Sequence, residues 1–305
     1  MKISVLINSR DRPETLTRCL QSVLSQQYVL FDVIVLDDAS SGCHLEAVVG
    51  PQFPDDRLNF LRTEMPLGVA RGRNLLMARA TGDVFVIIDD DAYFESNDAL
   101  SHIVETFHSY PQAGIIACKI VDHRAGKQQL LVPFSWRSRR QQPAITQNLD
   151  LVSYFLGGGH AILRQTIEVC GTYSDSLIFG EEELDLSYRV IEAGYEIYFL
   201  PDVIIHHYPS ESVVADEKNF QHPELYYHVH NRLYLAYRYL PWKFVPLYLF
   251  IWLVRHSIDA IKTGGITEVL AGIRDGLQTV RRTERTPLGP QAVKYLQTNY
   301  GRLWY

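Results

Sequence analysis

Three adjacent carboxylates, Asp89, Asp90 and Asp91, directly follow the apolar run Val84–Ile88. Neighbouring negative charges repel one another unless a cation neutralises them. Mg²⁺ and Mn²⁺ prefer oxygen ligands and share them with phosphate groups. Side chains alternate along an extended chain, so Asp89 and Asp91 share one side and Asp90 faces the other. The pattern predicts a site for a divalent metal and a diphosphate, and a solvated acidic turn is the alternative.

A second acidic cluster, Glu181-Glu182-Glu183, opens a predicted helix. Carboxylates in a first helical turn are favoured by the helix dipole, so a capping role is one interpretation. Crowded acids also raise one another's pKa, which suits a general base. Further on, His206-His207 follows an apolar run and is a candidate for metal binding or for the acceptor side. A structural, hydrogen-bonded histidine is the alternative at either position.

A metal ion and basic side chains must hold any phosphate, because the chain lacks both the G-x-G-x-x-G fingerprint and the P-loop motif. Arg71 and Arg73, on the predicted helix before the aspartate cluster, are candidates, with a solvated helix face as the alternative. Asp38 ends a predicted strand, where an acid can bind ribose hydroxyls or a base edge. The alternative for Asp38 is a turn cap.

Alternating strands and helices must position these groups. The predicted strands are 2–7, 31–36, 58–61, 84–88, 114–121, 196–200 and 203–206, and the predicted helices start at Pro13, Gly68, Asn97 and Glu181. This order favours an α/β protein with a parallel, doubly wound sheet and helices on both faces. Ligands bind beyond the carboxyl ends of such strands. The segment Asp122–Leu149 lacks periodicity and is predicted to be irregular. Gly194 is predicted to end the helix that begins at Glu181.

The C-terminal part differs from the rest of the chain in charge and in apolar content. From Leu240 onward the chain carries nine Lys or Arg against four Asp or Glu, while the remainder has a net charge of −11. The apolar run Leu240–Val254 is too short and too rich in proline for a confident transmembrane helix. An interfacial helix on an anionic membrane surface is the preferred interpretation, with Trp242, Trp252, Lys243 and Arg255 at its margins. The alternative is a helix buried against the catalytic domain or in a homodimer.

Bulk properties narrow the class of protein. The chain has 305 residues, of which 47% are hydrophobic, as in a folded enzyme. An acidic body excludes nucleic acid as the main partner. The start of the chain lacks the apolar run of a signal peptide, which predicts a cytoplasmic location, on or near the inner membrane face. The four cysteines form no C-x-x-C pair, so neither a zinc site nor a disulfide framework is expected.

Several segments, in order, resemble the family 2 glycosyltransferases, which have the GT-A fold. SRDRPETLTRCLQSVLSQ resembles the opening segment of that family, and VIVLDDAS resembles its nucleotide-binding acidic turn. GVARGRNLLMARATGDVFVIIDDDA resembles the segment leading into the family's D-x-D metal motif. FGEEELDLSYRVIEAGYEIYFLPDVIIHH resembles the acceptor-side motif and the histidine strand after it. The resemblance implies a Rossmann-like GT-A domain over residues 1–221 and a C-terminal helical region over residues 222–305.

The resemblance also implies roles for individual residues. It places donor binding at Ser9, Asp11, Asp38, Asp89 and Asp90, together with the candidate arginines. It implies metal binding by Asp89, Asp91 and His207, and catalysis by Glu183 as base, with Glu182 beside it. The family's base is usually Asp, so the choice among the three adjacent glutamates stays open. Asp11 stands where Asn is more usual.

The expected function is inverting transfer of a sugar from a nucleotide-diphosphate donor to an acceptor hydroxyl, assisted by Mn²⁺ or Mg²⁺. The expected acceptor is a saccharide or a lipid-linked saccharide, as in polysaccharide or glycolipid assembly. Two alternatives remain at this point: a nucleotidyltransferase, and a protein that binds sugar nucleotides without turning them over.

Overall fold

The computed structural model describes residues 1–209, 220–301 and 303. Ten strands occur in the described chain: β1 Ile3–Ser9, β2 Phe31–Asp37, β3 Leu58–Arg62, β4 Val84–Ile88, β5 Ala92–Phe94, β6 Ala113–Asp122, β7 Gln129–Leu131, β8 Asp150–Val152, β9 Gly159–Leu163 and β10 Glu196–His207. The α-helices of the described chain are α1 Pro13–Leu24, α2 Leu45–Val49, α3 Gly68–Arg79, α4 Ala99–Ser109, α5 Trp136–Gln141, α6 Arg164–Cys170, α7 Glu182–Glu192, α8 Pro223–Tyr239, α9 Val245–Thr263, α10 Ile266–Arg282 and α11 Pro290–Thr298.

All ten strands form one sheet, in the order β3-β2-β1-β4-β9-β6-β10-β5, with β7 beside β6 and β8 beside β10. The first four strands in this order are parallel, as expected. The expectation of a wholly parallel sheet is wrong, because β9 lies antiparallel between β4 and β6. The sheet is therefore mixed, and its antiparallel strand brings the glycine-rich segment before Gly159 to the carboxyl end of β4.

Helices cover both faces of the sheet, which confirms that part of the expectation. The residues of β1 alternate between the two faces: Leu6 belongs to the same buried cluster as side chains of α3, α7 and α8, while Val5 and Ile7 belong to the cluster that includes α1, α2 and α4. All three side chains are fully buried. A strand buried on both faces reads as a continuous apolar run, which is how the sequence reads here.

The C-terminal helices share a core with the sheet. Side chains of α8, α9 and α11 belong to the same buried cluster as those of α3 and α7. The helices α8 and α10 pack closely at Gly272 and Gly276, where an added Cβ would lie within 3 Å of α8 atoms. At the end of the chain, the Tyr295 hydroxyl accepts a hydrogen bond from the backbone N–H of Ile197 at 3.0 Å. Helices α8, α9, α10 and α11 thus form a C-terminal helical appendage on the sheet domain, and the domain boundary at residues 221 and 222 stays a prediction.

Three local expectations need correction. The two short strands predicted around Leu200 are one strand, β10, because a register shift between Leu200 and Ile204 absorbs Pro201 without ending the pairing with β6. The segment predicted to be irregular contains the short strand β7 and the helix α5. Trp252 does not lie at a helix margin facing solvent, since it is 8% exposed and packs inward.

None of the helices in the described ranges is long and apolar enough to cross a membrane.

Candidate active site

The aspartate cluster and a histidine converge at one end of the sheet. Asp89 and Asp91 follow β4, and His207 is the last residue of β10. One side-chain ligand atom from each of these three residues lies within 4.8 Å of the other two. Two carboxylates and an imidazole are a donor set that suits Mn²⁺ or Mg²⁺ with further oxygen ligands. The three residues predicted to bind metal are therefore brought together.

His207 is held between two carboxyl groups. Its Nε2 lies 3.2 Å from Asp91 Oδ1, and its Nδ1 lies 3.7 Å from Asp122 Oδ2. Burial lowers the pKa of His207, but the hydrogen bond to Asp91 and the nearby aspartates outweigh it, so the net pKa is raised. A carboxylate behind a metal-binding imidazole fixes the ring orientation. Asp122 fits that supporting position.

The extended chain expected at Asp89–Asp91 is wrong, because the N–H of Ala92 donates to the carbonyl of Asp89 at 3.1 Å and closes a turn. Asp90 lies in this turn. Its carboxyl accepts a hydrogen bond of 2.6 Å from Ser9 Oγ and one of 3.1 Å from Arg12. Arg12 also reaches Asp91 at 3.3 Å. Burial raises the pKa of Asp90 to about 7, against the lowering effects of Arg12 and Ser9. The structure pairs Ser9 with Asp90, and the donor-binding role of both stays a prediction.

One buried arginine joins the two acidic clusters. Arg73 on α3 lies 3.2 Å from Asp89 Oδ1 and 3.1 Å from Glu183 Oε1, and it donates a 3.0 Å hydrogen bond to the carbonyl of Gly157. Its side chain is 4% exposed. Burial lowers the pKa of Arg73, but the charges of Asp89, Tyr173 and the glutamates outweigh it and raise the net pKa, so Arg73 stays protonated. Two carboxylates and a backbone carbonyl already bind the buried Arg73, whereas Arg71, two residues earlier, is exposed and is the more accessible of the two phosphate candidates.

Glu182 and Glu183 are neighbours in the chain but differ in exposure and in their contact with Arg73. Glu183 Oε1 accepts a hydrogen bond from Arg73 and its side chain is 17% exposed, whereas Glu182 lies 3.7 Å from Arg73 and is 7% exposed. Within the described chain, Glu182 Oε2 accepts no hydrogen bond. Burial, and then the charge of Glu183, raises the pKa of Glu182 to about 8. Glu182 therefore favours its protonated form, and Glu183 is the more accessible carboxylate.

A glycine-rich turn separates the clusters and fits tightly against them. A Cβ on Gly157 would lie 2.1 Å from Glu183 Oε1, and one on Gly158 would lie 3.3 Å from Asp89 Oδ2. His160, just after this turn, is fully buried, and burial holds its pKa well below the usual value. Its Nδ1 donates to the carbonyl of Leu156 at 3.1 Å, so its Nε2 accepts the Tyr173 hydroxyl at 2.5 Å. This neutral histidine anchors the turn.

Helix α8 holds the start of α7 in an unusual backbone conformation. Gly180 and Glu181 both have positive φ angles, of 73° and 71°. Asn231 donates 2.9 Å hydrogen bonds to the carbonyls of Phe179 and Gly180. Arg232 pairs with Glu181 at 2.7 Å. Non-glycine residues adopt this conformation only where surrounding contacts impose it. Glu181 is thus held by contacts with α8, and the choice of base among the three glutamates stays a prediction.

Two more predicted donor contacts lie on loops near the carboxyl ends of β1 and β2. The Asp38 carboxylate accepts hydrogen bonds from the backbone N–H groups of Leu67 at 2.7 Å and Gly68 at 2.9 Å, at the start of α3. Asp11 accepts from the N–H of Ser41 at 2.7 Å. Both aspartates therefore shape the loops that surround the predicted nucleotide site, and direct contact with the donor stays a prediction.

Comparison with known proteins identifies the family. The model of the glycosyl transferase family 2 matches residues 4–170. This match covers more than half of the chain and includes the aspartate cluster and the glycine-rich turn. The chain belongs to glycosyl transferase family 2.

Curated relatives of this family 2 glycosyltransferase are distant. Polypeptide N-acetylgalactosaminyltransferase 4 of Mus musculus is 26% identical over 211 residues, which are 61% of this chain and 36% of the relative. The UDP-Glc:α-D-GlcNAc-diphosphoundecaprenol β-1,3-glucosyltransferase WfgD of Escherichia coli is 30% identical over 95 residues, which are 31% of this chain and 37% of the relative. The chain thus spans little more than a third of the length of either relative.

Solved structures support the GT-A fold. GalNAc-T7, solved with UDP, GalNAc and Mn²⁺, matches 78% of this chain and 50% of its own with a TM-score of 0.60 and 18% identity. The mannosyltransferase PcManGT of Pyrobaculum calidifontis, solved with GDP-Man and Mn²⁺, matches 98% of this chain and 79% of its own with a TM-score of 0.58 and 17% identity. At these identities the similarity establishes the fold, and the predicted GT-A fold with a helical appendage is confirmed.

Several residues that contact the candidate site of this family 2 glycosyltransferase were not singled out in the sequence. Arg12 contacts Asp91 and Asp122 contacts His207, both in the candidate metal group, and His160 anchors the glycine-rich turn. The run of three glycines before His160 was a visible signal, since glycine repeats mark close backbone approach. For Asn231 the sequence offers no comparable signal, because it lies in the middle of an ordinary amphipathic helix.

Proposed function

We propose that the protein transfers a sugar from a nucleotide-diphosphate donor to an acceptor hydroxyl with inversion at the anomeric carbon. The observation that carries this proposal is the bridge formed by Arg73 between Asp89 and Glu183. It places a group suited to a metal–diphosphate complex beside a carboxylate suited to accept a proton. A donor bound on one side and an acceptor on the other would meet between them.

Asp89, Asp91 and His207 would hold the divalent ion. Their fit rests on the convergence of three ligand atoms and on the donor set, two carboxylates and one imidazole. When bound, the ion supplies positive charge that neutralises the leaving diphosphate. Arg71, Asp38, Asp11, Ser9 and Asp90 would shape or contact the rest of the donor. Manganese in the GalNAc-T7 and PcManGT structures supports the choice of Mn²⁺, with Mg²⁺ as the alternative.

Glu183 would act as the base. It removes the proton of the acceptor hydroxyl as the oxygen attacks the anomeric carbon from the face opposite the diphosphate, so one displacement inverts the configuration. Protonated Glu182 avoids a second negative charge beside Glu183. Arg73 orients the Glu183 carboxylate through its 3.1 Å contact with Oε1.

A donor screen tests the proposal first. Thermal shift with UDP-, GDP- and dTDP-sugars and Mn²⁺ identifies the donor, and release of nucleoside diphosphate measures turnover. Asp91→Ala should abolish the metal-dependent release of nucleoside diphosphate. Full metal-dependent release in that variant contradicts the metal role. Glu183→Gln should inactivate the protein more than Glu182→Gln, and the opposite order reassigns the base to Glu182.

The same assay separates the two alternatives. A nucleotidyltransferase would release pyrophosphate from a nucleoside triphosphate and a sugar phosphate. A protein that only binds sugar nucleotides would show the thermal shift without release of nucleoside diphosphate. Intact Asp89, Asp91 and Glu183 favour turnover, and family membership favours transfer of sugar.

We further propose that α9 contacts a membrane and that the acceptor is a saccharide or lipid-linked saccharide in polysaccharide or glycolipid assembly. Large apolar side chains on α9 and α10 are exposed at helical spacing, here called the apolar stripe: Leu247, Phe250, Val254, Ile258, Ile261, Ile266, Leu270 and Leu277. Lys243, Arg255 and Lys262 flank it. Apolar side chains bordered by cations suit an anionic lipid surface. The diphosphoundecaprenol acceptor in the name of WfgD supports a lipid-linked acceptor.

Flotation with liposomes that contain anionic lipid tests the membrane contact. Phe250→Glu with Ile261→Glu should abolish flotation. Met65→Glu with Val169→Glu changes equally exposed apolar residues elsewhere and should leave it intact. Wild-type protein that stays entirely in the soluble fraction contradicts the proposal. A homodimer, measured by sedimentation and lost in the Phe250 and Ile261 variant, would assign the apolar stripe to self-association instead.

A further inference from the structure

A half-buried arginine, Arg12, contacts the aspartate cluster beside the candidate metal group, which consists of Asp89, Asp91 and His207. Arg12 lies between β1 and α1, and the carboxyl ends of β1 and β4 are side by side because these strands pair in parallel. Its Nη1 lies 3.1 Å from Asp90 Oδ1 and 3.3 Å from Asp91 Oδ2. One guanidinium therefore bridges two adjacent carboxylates, and one of these is a proposed metal ligand.

Both oxygens of the Asp91 carboxylate have close neighbours. Oδ1 lies 3.2 Å from His207 Nε2, and Oδ2 lies 3.3 Å from Arg12 Nη1. His207 would bind the same ion as Asp91, so these two side chains would act together on the metal. Arg12 cannot act as a ligand, because a guanidinium offers N–H donors and no acceptor. The metal ion and Arg12 would therefore share one carboxylate, and their like charges would repel each other.

The charge of the aspartate cluster is nearly balanced by the chain itself. The three aspartates carry three negative charges when all are ionised, and Arg12 and Arg73, which contact them, carry two positive charges. A divalent ion therefore meets at most one net negative charge. A nucleoside diphosphate would add the negative charge that the ion requires, since Mg²⁺ and Mn²⁺ share their oxygen ligands between carboxylates and phosphates.

The two arginines differ in what else holds them. Arg73 is 4% exposed, and it also contacts Glu183 and the carbonyl of Gly157. Arg12 is 32% exposed, and its backbone carbonyl accepts the N–H of Leu16 at 3.1 Å at the start of α1. Replacing the Arg12 head group therefore changes the charge beside the metal group without removing a buried cation from the core.

We infer that Arg12 lowers the intrinsic affinity of the candidate metal group, so that a divalent ion binds tightly only together with the diphosphate of the donor. The inference rests on the metal role given to this group in the proposed function. Arg12 acts through Asp91 and is a positioning residue. A metal group of this kind releases its ion when the nucleoside diphosphate product leaves, which couples metal exchange to turnover.

The experiment measures binding of Mn²⁺ alone to the full chain, by electron paramagnetic resonance of the free ion. Arg12→Gln should bind Mn²⁺ about threefold to tenfold more tightly than the wild type, as removal of a like charge roughly 5–7 Å from the ion predicts. Loss of a merely structural contact would weaken metal binding and would not tighten it. Arg12→Lys keeps the charge and should bind Mn²⁺ nearly as the wild type does.

A thermal-shift measurement tests the coupling to the diphosphate. Mn²⁺ alone should raise the Tm of Arg12→Gln by more than that of the wild type, because tighter binding to the folded state stabilises it more. Addition of UDP, GDP or dTDP, each tried in turn with Mn²⁺, should then raise the Tm further in the wild type than in Arg12→Gln. Equal further rises in the two proteins contradict the coupling.

Arg10→Gln is the matched control, since it removes the same charge two residues earlier, where Arg10 pairs with Asp11 at 3.7 Å. It should bind Mn²⁺ as the wild type does. Equal tightening in Arg10→Gln and Arg12→Gln overturns the inference, because the effect would then come from the overall charge. Unchanged or weaker Mn²⁺ binding in Arg12→Gln also overturns it, and weaker binding would show that Arg12 orients Asp91 for the metal.

Asp91→Ala separates this inference from the proposed function. Mn²⁺ binding that persists in Asp91→Ala, or that is absent from the wild type and every variant, refutes the metal group and the inference together. Mn²⁺ binding that is lost in Asp91→Ala but is not tightened in Arg12→Gln refutes the inference alone. Release of nucleoside diphosphate from the donor, measured in parallel on the wild type, tests the transfer function independently of the Mn²⁺ affinities.

Discussion

Gly157→Ala is the most direct perturbation of the catalytic geometry. The added Cβ would lie 2.1 Å from Glu183 Oε1 and 3.1 Å from Arg73 Nη2, whereas ordinary contact begins at 3.4 Å. Since Gly157 is held by its hydrogen bond from Arg73 and by the anchored turn after it, the Glu183 carboxylate must yield. Relief of the overlap requires Oε1 to move by roughly 1.3 Å.

A displacement of that size has a predictable kinetic effect. Misplacing a reacting group by about 1 Å costs on the order of 100-fold in rate. A 100-fold loss of kcat corresponds to about 2.7 kcal/mol in the activation free energy. The donor KM should change little, because the metal-binding group lies on the other side of Arg73. The measurement is nucleoside diphosphate release with saturating donor and acceptor, alongside circular dichroism to verify folding.

Gly158→Ala is the matched control for this prediction. It adds the same methyl group one residue later, where the nearest atoms are Asp89 Oδ2 at 3.3 Å and Ile120 Cδ1 at 3.5 Å. A shift of a tenth of an ångström suffices there, so kcat should stay within a few-fold of the wild type. The reasoning is refuted if folded Gly157→Ala keeps more than a tenth of the wild-type kcat, or if both variants lose the same amount.

Three further outcomes are expected. Arg71→Ala should raise the donor KM and change the free energy of unfolding by less than about 0.5 kcal/mol. Arg73→Met should lower the free energy of unfolding, measured by urea denaturation, by about 3–5 kcal/mol, because it leaves the carboxylates around Arg73 unpaired. Similar losses in the two variants would contradict the structural role of Arg73 and the donor-binding role of Arg71. The pKa of Glu182 is raised from 4.5 to about 8 in the fold, so its contribution to stability is complete below 4.5 and is lost as pH rises through 8. Glu182→Gln should therefore show a smaller fall in Tm between these pH values than the wild type, and parallel curves would contradict the burial argument. Asn231→Ala should destabilise the fold by about 1–2 kcal/mol, since two part-buried carbonyls lose their donor, and an unchanged urea midpoint would show that the turn keeps its conformation without Asn231.

Much of the fold and the site was predictable from local patterns. The apolar runs that became β1, β2 and β4 and the acids after them follow from periodicity and from the rule that ligands gather at the carboxyl ends of strands. These inferences need no knowledge of tertiary contacts. The alternation predicted for Asp89, Asp90 and Asp91 assumed an extended chain, and the turn closed by Ala92 N–H on the Asp89 carbonyl was not visible from the apolar run before it.

Other features depend on which distant segments meet. β9 reads as a short apolar run, and nothing local tells that it enters the sheet antiparallel between β4 and β6. Arg73 was predicted to bind phosphate, and its place on α3 was right, but only the packed structure shows two carboxylate clusters around it. Trp252 lies in an apolar run suited to an interface, yet its inward packing depends on Arg232, twenty residues earlier.

The insertion of β9 has a consequence for synthesis of the chain. Strands β4 and β6 leave the ribosome first, and each presents an open edge until Gly159–Leu163 joins them. Open edges of apolar strands are sites of aggregation, and pairing over such sequence distances is slow. The nascent chain therefore passes through an interval in which half of the sheet is exposed to wrong partners. A translational pause before residue 163 emerges would lengthen that interval and should lower the yield of soluble protein. A chaperone that binds the chain during the interval would protect the open edges and should raise the yield.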